Sequence, residues 1–395
     1  MNAPERLSLR IKLPSSAGKL EEFRLSAPGN FGTAGRKPLN RVALAAAHVV
    51  ADPLASGNPW LDAAVDWDAT MAYRRYLWSL GLGVAEAMDT AQRGMGLDWK
   101  SSQELVRRSI AESKTADGAV LFSGAGTDQL EPAAGVRLDE VIAAYEAQCE
   151  AVEALGGRIV LMASRALAAC ARSSDDYRKV YARVLSQVKQ PVIIHWLGEM
   201  FDPQLAGYWG DKESSKAMNV AIDVIEAGRA KVDGVKISLL DRQKEIDMRR
   251  RLPTGVRMYT GDDFNYPELI EGDGARASDA LLGIFDAIAP AASAALARLA
   301  SGDAKGFRDI LAPTVPLARH IFRAPTRFYK TGLVFIAWLN GHQEHFIMVG
   351  GQQSARSLAD LAETFRLADA AGLLRDPELA VSRMRHFLAV SGLGG

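Results

Sequence analysis

From Arg41 onward, short apolar runs alternate with longer amphipathic segments. The apolar runs have strand character and fall at Val42–Val50, Gly83–Met88, Ala119–Ser123, Ile159–Ala163, Val192–Trp196, Val235–Leu239, Arg257–Thr260 and Ala275–Leu281. The segments between them carry a helical stripe. Val141, Ile142, Tyr145, Cys149 and Val152 recur at helical spacing, and Leu105 and Ile110 mark one face of SSQELVRRSIAESK, with Ser101 or Ser102 as its N-cap. Eight such strand–helix alternations suit a closed α/β barrel, a (β/α)8 TIM barrel, better than an open sheet. The interval after the seventh run is short, so its helix is only about two turns long, near Tyr266–Ile270.

The two ends of the chain read differently. Leu7, Leu9 and Ile11, then Phe23 and Leu25 after SSAGK, alternate with polar residues and predict an N-terminal β-hairpin that covers the barrel floor or a neighbouring subunit. After Ala289 the pattern is helical to the end, punctuated by Pro313, Pro316 and Pro325. The expected partition is a hairpin over 1–40, the barrel over 41–289 and a C-terminal helical extension over 290–395.

Composition narrows the function. Lys+Arg and Asp+Glu are both 47, so there is no basic field for nucleic acid or an anionic membrane. No run approaches the roughly 18 uncharged apolar residues of a membrane span, and the N-terminus has no secretory pattern. Cys149 and Cys170 sit in helix-like surroundings as structural thiols. A cytoplasmic enzyme acting on a small molecule is expected, with no metal and no cofactor.

In a βα barrel the reacting groups come from the carboxyl ends of the strands. Polar residues at or near those ends are His48, Glu86 and Asp89, Ser123 and Gly124, Ser164 and Arg165, His195, Lys236, Asp262 and Asp263, with Ser278 and Asp279 in the eighth run. Lys236 is the most informative. It stands inside a strand, in VDGVKISLLD, between Val235 and Ile237. Burial disfavours an ammonium, and a neutral amine in a dry site condenses with carbonyls. The bland alternative is a lysine that snorkels to the surface or pairs with a carboxylate.

These residues resemble a known superfamily. DGVKISLLD is similar to the sixth-strand segment that carries the imine lysine of the dihydrodipicolinate synthase and N-acetylneuraminate lyase superfamily, the class I Schiff-base aldolases. YTGDDFNYPELIEGDGARAS resembles its seventh and eighth strands, at Gly261, Asp262 and Asp263, and FSGAGTDQ resembles its third-strand turn, at Gly124, Gly126 and Thr127. FYKTGLVFIAWLNG resembles part of its closing helical bundle. The resemblance implies a lyase or aldolase with Lys236 as the imine residue, working as a homodimer or homotetramer on a small carbonyl substrate. Three segments depart from the pattern. The carboxylate-binding loop after the second strand reads AMDTAQRGMGL, with Thr90 in place of one threonine and the acidic Asp89 beside it. The fourth strand ends in MASRAL, without the family's tyrosine, and the fifth reads HWLG.

His195 is the expected proton shuttle. Glu86 and Asp89 would bind hydroxyls, which favours a keto-sugar or keto-sugar acid over pyruvate. Arg165 would grip a carboxylate or phosphate. Thr90, Gly124, Ser164, Asp262 and Ser278 complete the expected substrate-binding set. Tyr208 is either the missing phenol or an aromatic anchor of its loop. A second reading takes His48, Glu86, Asp89, His195 and Glu199 as ligands of a divalent metal in a sugar isomerase or aldolase. A third takes the chain as a non-catalytic barrel. His342, Glu344 and His345 in GHQEH fall in the extension, away from the expected mouth.

Overall fold

The computed structural model describes residues 6–15, 17–32 and 39–393. Two antiparallel strands, β1 (Arg6–Pro14) and β2 (Leu20–Ser26), precede eight parallel ones. The eight are β3 (Ala43–Ala46), β4 (Gly83–Glu86), β5 (Leu121–Ala125), β6 (Arg158–Leu161), β7 (Val192–Leu197), β8 (Val232–Ser238), β9 (Arg257–Thr260) and β10 (Asp279–Leu282). Each pairs with the next, and β10 closes on β3 to form the barrel.

The eight predicted runs all mark barrel strands. The first and the last overreach most. The first strand stops at Ala46, before His48, and the last begins only at Asp279, after a turn in which Asp273 accepts hydrogen bonds from the backbone of Ala275 and Arg276.

Between the strands run α1 (Trp67–Ser79), α2 (Trp99–Ser113), α3 (Leu138–Ala154), α4 (Arg165–Cys170), α5 (Ser174–Gln187), α6 (Ser214–Ala227), α7 (Arg242–Arg251) and α8 (Tyr266–Glu271). The short α8 is the two-turn helix expected after the seventh strand. The N-cap expected at Ser101 or Ser102 is instead Asp98, whose carboxylate accepts the Ser101 amide at 2.8 Å. Trp99 therefore begins the helix, one turn earlier than the serines suggested.

Successive strand residues face opposite sides. Leu44, Ala46, Phe122, Val160, Ile193, Tyr259 and Leu281 fill the barrel interior as a core of their own. Ala45, Val84, Ile159, Ile194, Val235, Ile237 and Leu282 belong to the larger core beneath the helices. Both faces are apolar, as a parallel sheet covered on both sides requires. Lys236, between the outward Val235 and Ile237, therefore points inward.

After β10 the chain is helical: α9 (Ile284–Ala287), α10 (Ala289–Ala300), α11 (Ala304–Leu311), α12 (Val315–Ile321), α13 (Tyr329–Leu339), α14 (Leu358–Ala370) and α15 (Pro377–Val390). Every residue of α13 is buried, so it forms the axis of this bundle. The β1–β2 hairpin does not cover the barrel floor. It packs on α14 and α15, with Phe23 edge-on to Phe365 at 6.3 Å and the Ser26 amide donating to Asp369 at 3.0 Å.

Strand parity also settles Glu86, which faces outward. Arg74 of α1 grips it through two hydrogen bonds of 2.9 Å, and both side chains are fully buried. Removing one member strands the other charge in the core. We expect Glu86→Ala to cost about 3–5 kcal/mol in urea unfolding, with most of the loss recovered in Arg74→Met/Glu86→Leu. A loss under about 1 kcal/mol would show that the pair is not a buried structural element.

Candidate active site

The Lys236 side chain lies inside the barrel and is only 7% exposed. It lines a cavity of about 10 Å³, roughly the room of one water, together with Ala46, Met88, Asp89, Thr90, Leu197, Phe201, Ser238, Asp263, Gly283 and Tyr329. Gly261 lets the lysine pass along the strand end. A Cβ there would come within 2.8 Å of the Lys236 Cε and 2.5 Å of the Ile237 carbonyl oxygen. Burial pushes the amine pKa down, while the carboxylates of Asp263 and Asp89 oppose that shift through space. Burial pushes the Asp263 carboxyl up, and the Ile284 amide, 2.8 Å from its Oδ1, partly offsets this. Burial thus disfavours the charged form of both the amine and the carboxyl, while their mutual attraction favours it.

His195 stands beside Lys236 in the register of β7 and β8. Its Nε2 lies 3.2 Å from the Ser238 hydroxyl, and its Nδ1 is buried without a partner. Burial first, and the neighbouring amine second, push its pKa well down, so the ring is neutral at pH 7. His195 also lines a larger cavity of about 430 Å³ at the barrel mouth, with Asp89, Arg93, Asp128, Arg165, Leu197 and Asp202 among its walls. Asp89 and Leu197 border both cavities and form the partition between the mouth and the amine.

Of the residues expected from sequence, Lys236, His195, Asp89, Thr90 and Arg165 are brought to these two cavities. Arg165 is held by Asp202 at 2.5 Å and leaves part of its guanidinium at the mouth. Five others are not at the site. Glu86 faces Arg74 on the outer side of the barrel. Gly124 lines neither cavity; it allows a close approach, since a Cβ would meet the Ala87 carbonyl oxygen and the Met162 Sδ at 2.7 Å. Ser164 spends its hydroxyl as the N-cap of α4, accepting the Leu167 amide at 2.9 Å, and on Thr127 at 2.6 Å. Asp262 turns outward and accepts hydrogen bonds from the Phe264 and Asn265 amides. Ser278 precedes β10 and points to α7, donating to Glu245 at 2.7 Å.

Tyr208 is an anchor and not a site phenol. It is buried among Tyr177, Tyr181 and Trp209, and it receives the Ser164 amide at 3.0 Å. The alternative metal set is not assembled. His48 is paired with Asp286 at 2.8 Å and Glu86 with Arg74, and no group of three or more His, Cys, Asp or Glu suited to a metal ion forms among the described residues. His342 is nearer the barrel than expected. Its ring lies 5.0 Å from that of Tyr73, which in turn packs on His48 at 4.4 Å. No helix among the described residues is long and apolar enough to cross a membrane.

Residues 11–393 match the family described as "Protein of unknown function (DUF993)". The chain belongs to the DUF993 family. No curated protein matches its sequence. Among solved structures, a 4-hydroxy-tetrahydrodipicolinate synthase from Methylacidiphilum fumariolicum SolV is similar with a TM-score of 0.62 at 13% identity, over 88% of this chain and 98% of that one. A chloride-inhibited dihydrodipicolinate synthase from Acinetobacter baumannii, complexed with pyruvate, gives 0.60 at 15% identity, over 84% and 99%. The dihydrodipicolinate synthase of Aquifex aeolicus gives 0.57 at 12% identity, over 90% and 99%. At these identities the likeness establishes the fold: the DUF993 chain has the TIM barrel of the dihydrodipicolinate synthases.

Ser238, Asp263 and Tyr329 of the DUF993 chain line the small cavity, and Arg93, Asp128 and Asp202 the mouth, without having been singled out as binding groups; Lys330 follows Tyr329 in α13. Ser238 was readable, being two positions from Lys236 on the same strand face. Asp263 was visible in the TGDD turn, but its inward direction was not. Tyr329 and Lys330 come from α13, nearly a hundred residues beyond Lys236 in the sequence, and carry no local signal.

Glu245, bound to Ser278 on the outer wall, provides a pH test of this DUF993 fold. Burial pushes its carboxyl up to about 8, against the hydrogen bonds of Ser278 and Thr260. The folded pKa exceeds the unfolded value of about 4.3, so the stabilisation is complete below that value and is lost as pH rises through about 8. In urea unfolding at a series of pH values, Glu245→Gln is expected to flatten the decline in stability across that window. A slope identical to that of the wild type would contradict the assignment.

Proposed function

We propose that this protein is a lyase or aldolase that forms a Schiff base between Lys236 and a small keto acid, keto-sugar or keto-sugar acid. The observation that carries this reading is the inward, nearly dry position of the Lys236 amine, whose charged form burial disfavours. A lysine with only a structural role gains nothing from such a place, because removing an ammonium from water is costly.

In the proposed reaction the neutral amine attacks the substrate carbonyl and water is lost. The resulting iminium draws electrons from a neighbouring C–C or C–O bond, in cleavage, condensation or dehydration. Asp263 takes up the proton that the ammonium must give before it attacks. Neutral His195, at the edge of the mouth, moves protons on the substrate groups that extend outward. Asp89 accepts hydrogen bonds from hydroxyls, and Arg165 holds a carboxylate or phosphate at the outer rim. The acidic Asp89 at the partition and a mouth of about 430 Å³ favour a polyhydroxylated substrate over pyruvate. A homodimer or homotetramer in the cytoplasm is part of this reading.

Incubating the protein with a panel of 2-keto acids and keto-sugars in the presence of borohydride should add the reduced substrate mass at Lys236, and Lys236→Ala should abolish it. Chelators should leave turnover unchanged. Failure of every carbonyl to label Lys236, or turnover that is lost on chelation and restored by Mn²⁺, would reject the proposal. His195→Ala is expected to slow turnover of the labelling substrate by about a hundredfold, and an unchanged rate would return His195 to a packing role.

A further inference from the structure

We infer that the cavity between α1, α9 and the end of α13 is a second binding site, for a small carboxylic acid with an apolar or aromatic body, whose carboxylate is held by Arg375 and Tyr76. The site is separate from the barrel mouth and independent of any chemistry at Lys236.

The cavity has a volume of about 380 Å³, the size of a small-molecule site. It shares no wall residue with either cavity at the barrel mouth. Tyr73 and Tyr76 of α1 form one wall, and Ile336, Ala337 and Asn340 at the end of α13 form another. The chain after β2, at Gly29–Gly32, meets the turn after α14 to form a third. That meeting is built backbone to backbone. The Gly29 amide donates to the Gly372 carbonyl at 2.9 Å, and a Cβ on Gly372, which has φ +69°, would lie 2.8 Å from the Gly29 nitrogen.

The polar groups at these walls are donors without partners. Arg375 takes part in none of the ion pairs among the described residues, and its charge acts through space on Tyr76 and His342. Burial pushes the Tyr76 phenol up to about 12, against Arg375, so it keeps its proton. Burial, then Arg375, pushes His342 down to about 4, so its ring is a neutral imidazole with one N–H. Asn340 spends its Oδ1 on the Arg375 backbone amide at 2.9 Å, which leaves its Nδ2 to donate.

Asp286 also borders the cavity, but its oxygens are taken. One accepts the His48 backbone amide at 2.8 Å, and both lie within 3.0 Å of the His48 Nδ1. The Tyr73 hydroxyl is likewise spent, on the Asp286 carbonyl at 2.6 Å. The cavity therefore offers one cation and three neutral donors, a set that suits a carboxylate. The remaining walls are apolar: Phe31, Pro290, Ile336 and Leu373, with the tyrosine rings beside them. Such walls suit the body of an aryl or branched-chain acid and not a sugar.

The test uses a probe in place of the natural ligand. 4-Fluorophenylacetate is titrated and followed by 19F NMR, with 4-fluorophenylacetamide as its uncharged counterpart. The acid is expected to bind with a Kd below about 1 mM, and the amide about tenfold more weakly. Arg375→Gln, at an exposed position, should fold normally and lower the affinity for the acid about tenfold. Tyr76→Phe keeps the ring packed on His342 and should weaken the acid about threefold. Arg165→Gln and Lys236→Ala should leave its affinity unchanged. Equal binding of acid and amide overturns the site, as does an Arg375→Gln affinity within about twofold of the wild type. Loss of binding in Arg165→Gln or Lys236→Ala would place the acid at the barrel mouth and overturn it too. So would the absence of saturable binding up to about 10 mM of the acid.

Discussion

Everything at the barrel mouth follows from keeping one amine out of water. An ammonium in that position would lose several kcal/mol of hydration, and only a well-placed counter-charge would offset the loss. The chain does not supply a tight ion pair. It surrounds Lys236 with Met88, Leu197, Phe201 and the Tyr329 ring, and sets Asp263 and Asp89 where they act through space. Burial and attraction therefore oppose one another at this amine. Such a balance is unfavourable for a purely structural group and suits a nucleophile.

The C-terminal helices follow from the same constraint. A barrel alone leaves the carboxyl ends of its strands open. Here α13 crosses that end and brings Tyr329 into the wall of the small cavity. It is packed in turn against α14 and α15, which the N-terminal hairpin braces. The two ends of the chain thus support the roof of the site. Lys330 adds a second buried amine near the mouth. Burial pushes it down to about 8, while Asp89 and Asp202 pull the other way. Its Nζ donates to the Arg327 carbonyl at 3.1 Å, which ties it to the turn that begins α13.

The barrel was legible because strand-length apolar runs and helical stripes alternate from Arg41, and Lys236 was legible because a lysine inside such a run needs a reason. What the sequence could not show was parity. A strand buried on both faces has no polar side to mark its direction. Glu86 and Asp89 therefore looked equivalent, although one faces Arg74 outside the barrel and the other the cavity inside. Asp262 and Asp263 lie beyond β9, in a turn whose amides at Phe264 and Asn265 claim Asp262 and leave Asp263 to the cavity. Ser164 was a matter of local competition: a serine just before a helix is worth more as its N-cap than as a ligand. Tyr329 was hidden for a different reason. Its place depends on the packing of α13 over strands far from it in sequence, a tertiary relation with no periodic trace.

The central claim is that the Lys236 amine loses its proton more readily than a lysine in water. The direct measurement is its titration, following the 13Cε resonance by NMR in protein labelled at lysine and assigned by its disappearance in Lys236→Met. A midpoint well below the ordinary lysine value of about 10.4 is the expected result. A midpoint at or above that value would mean that Asp263 and Asp89 hold the side chain as a permanent cation, and the barrel would then have no nucleophile at its centre.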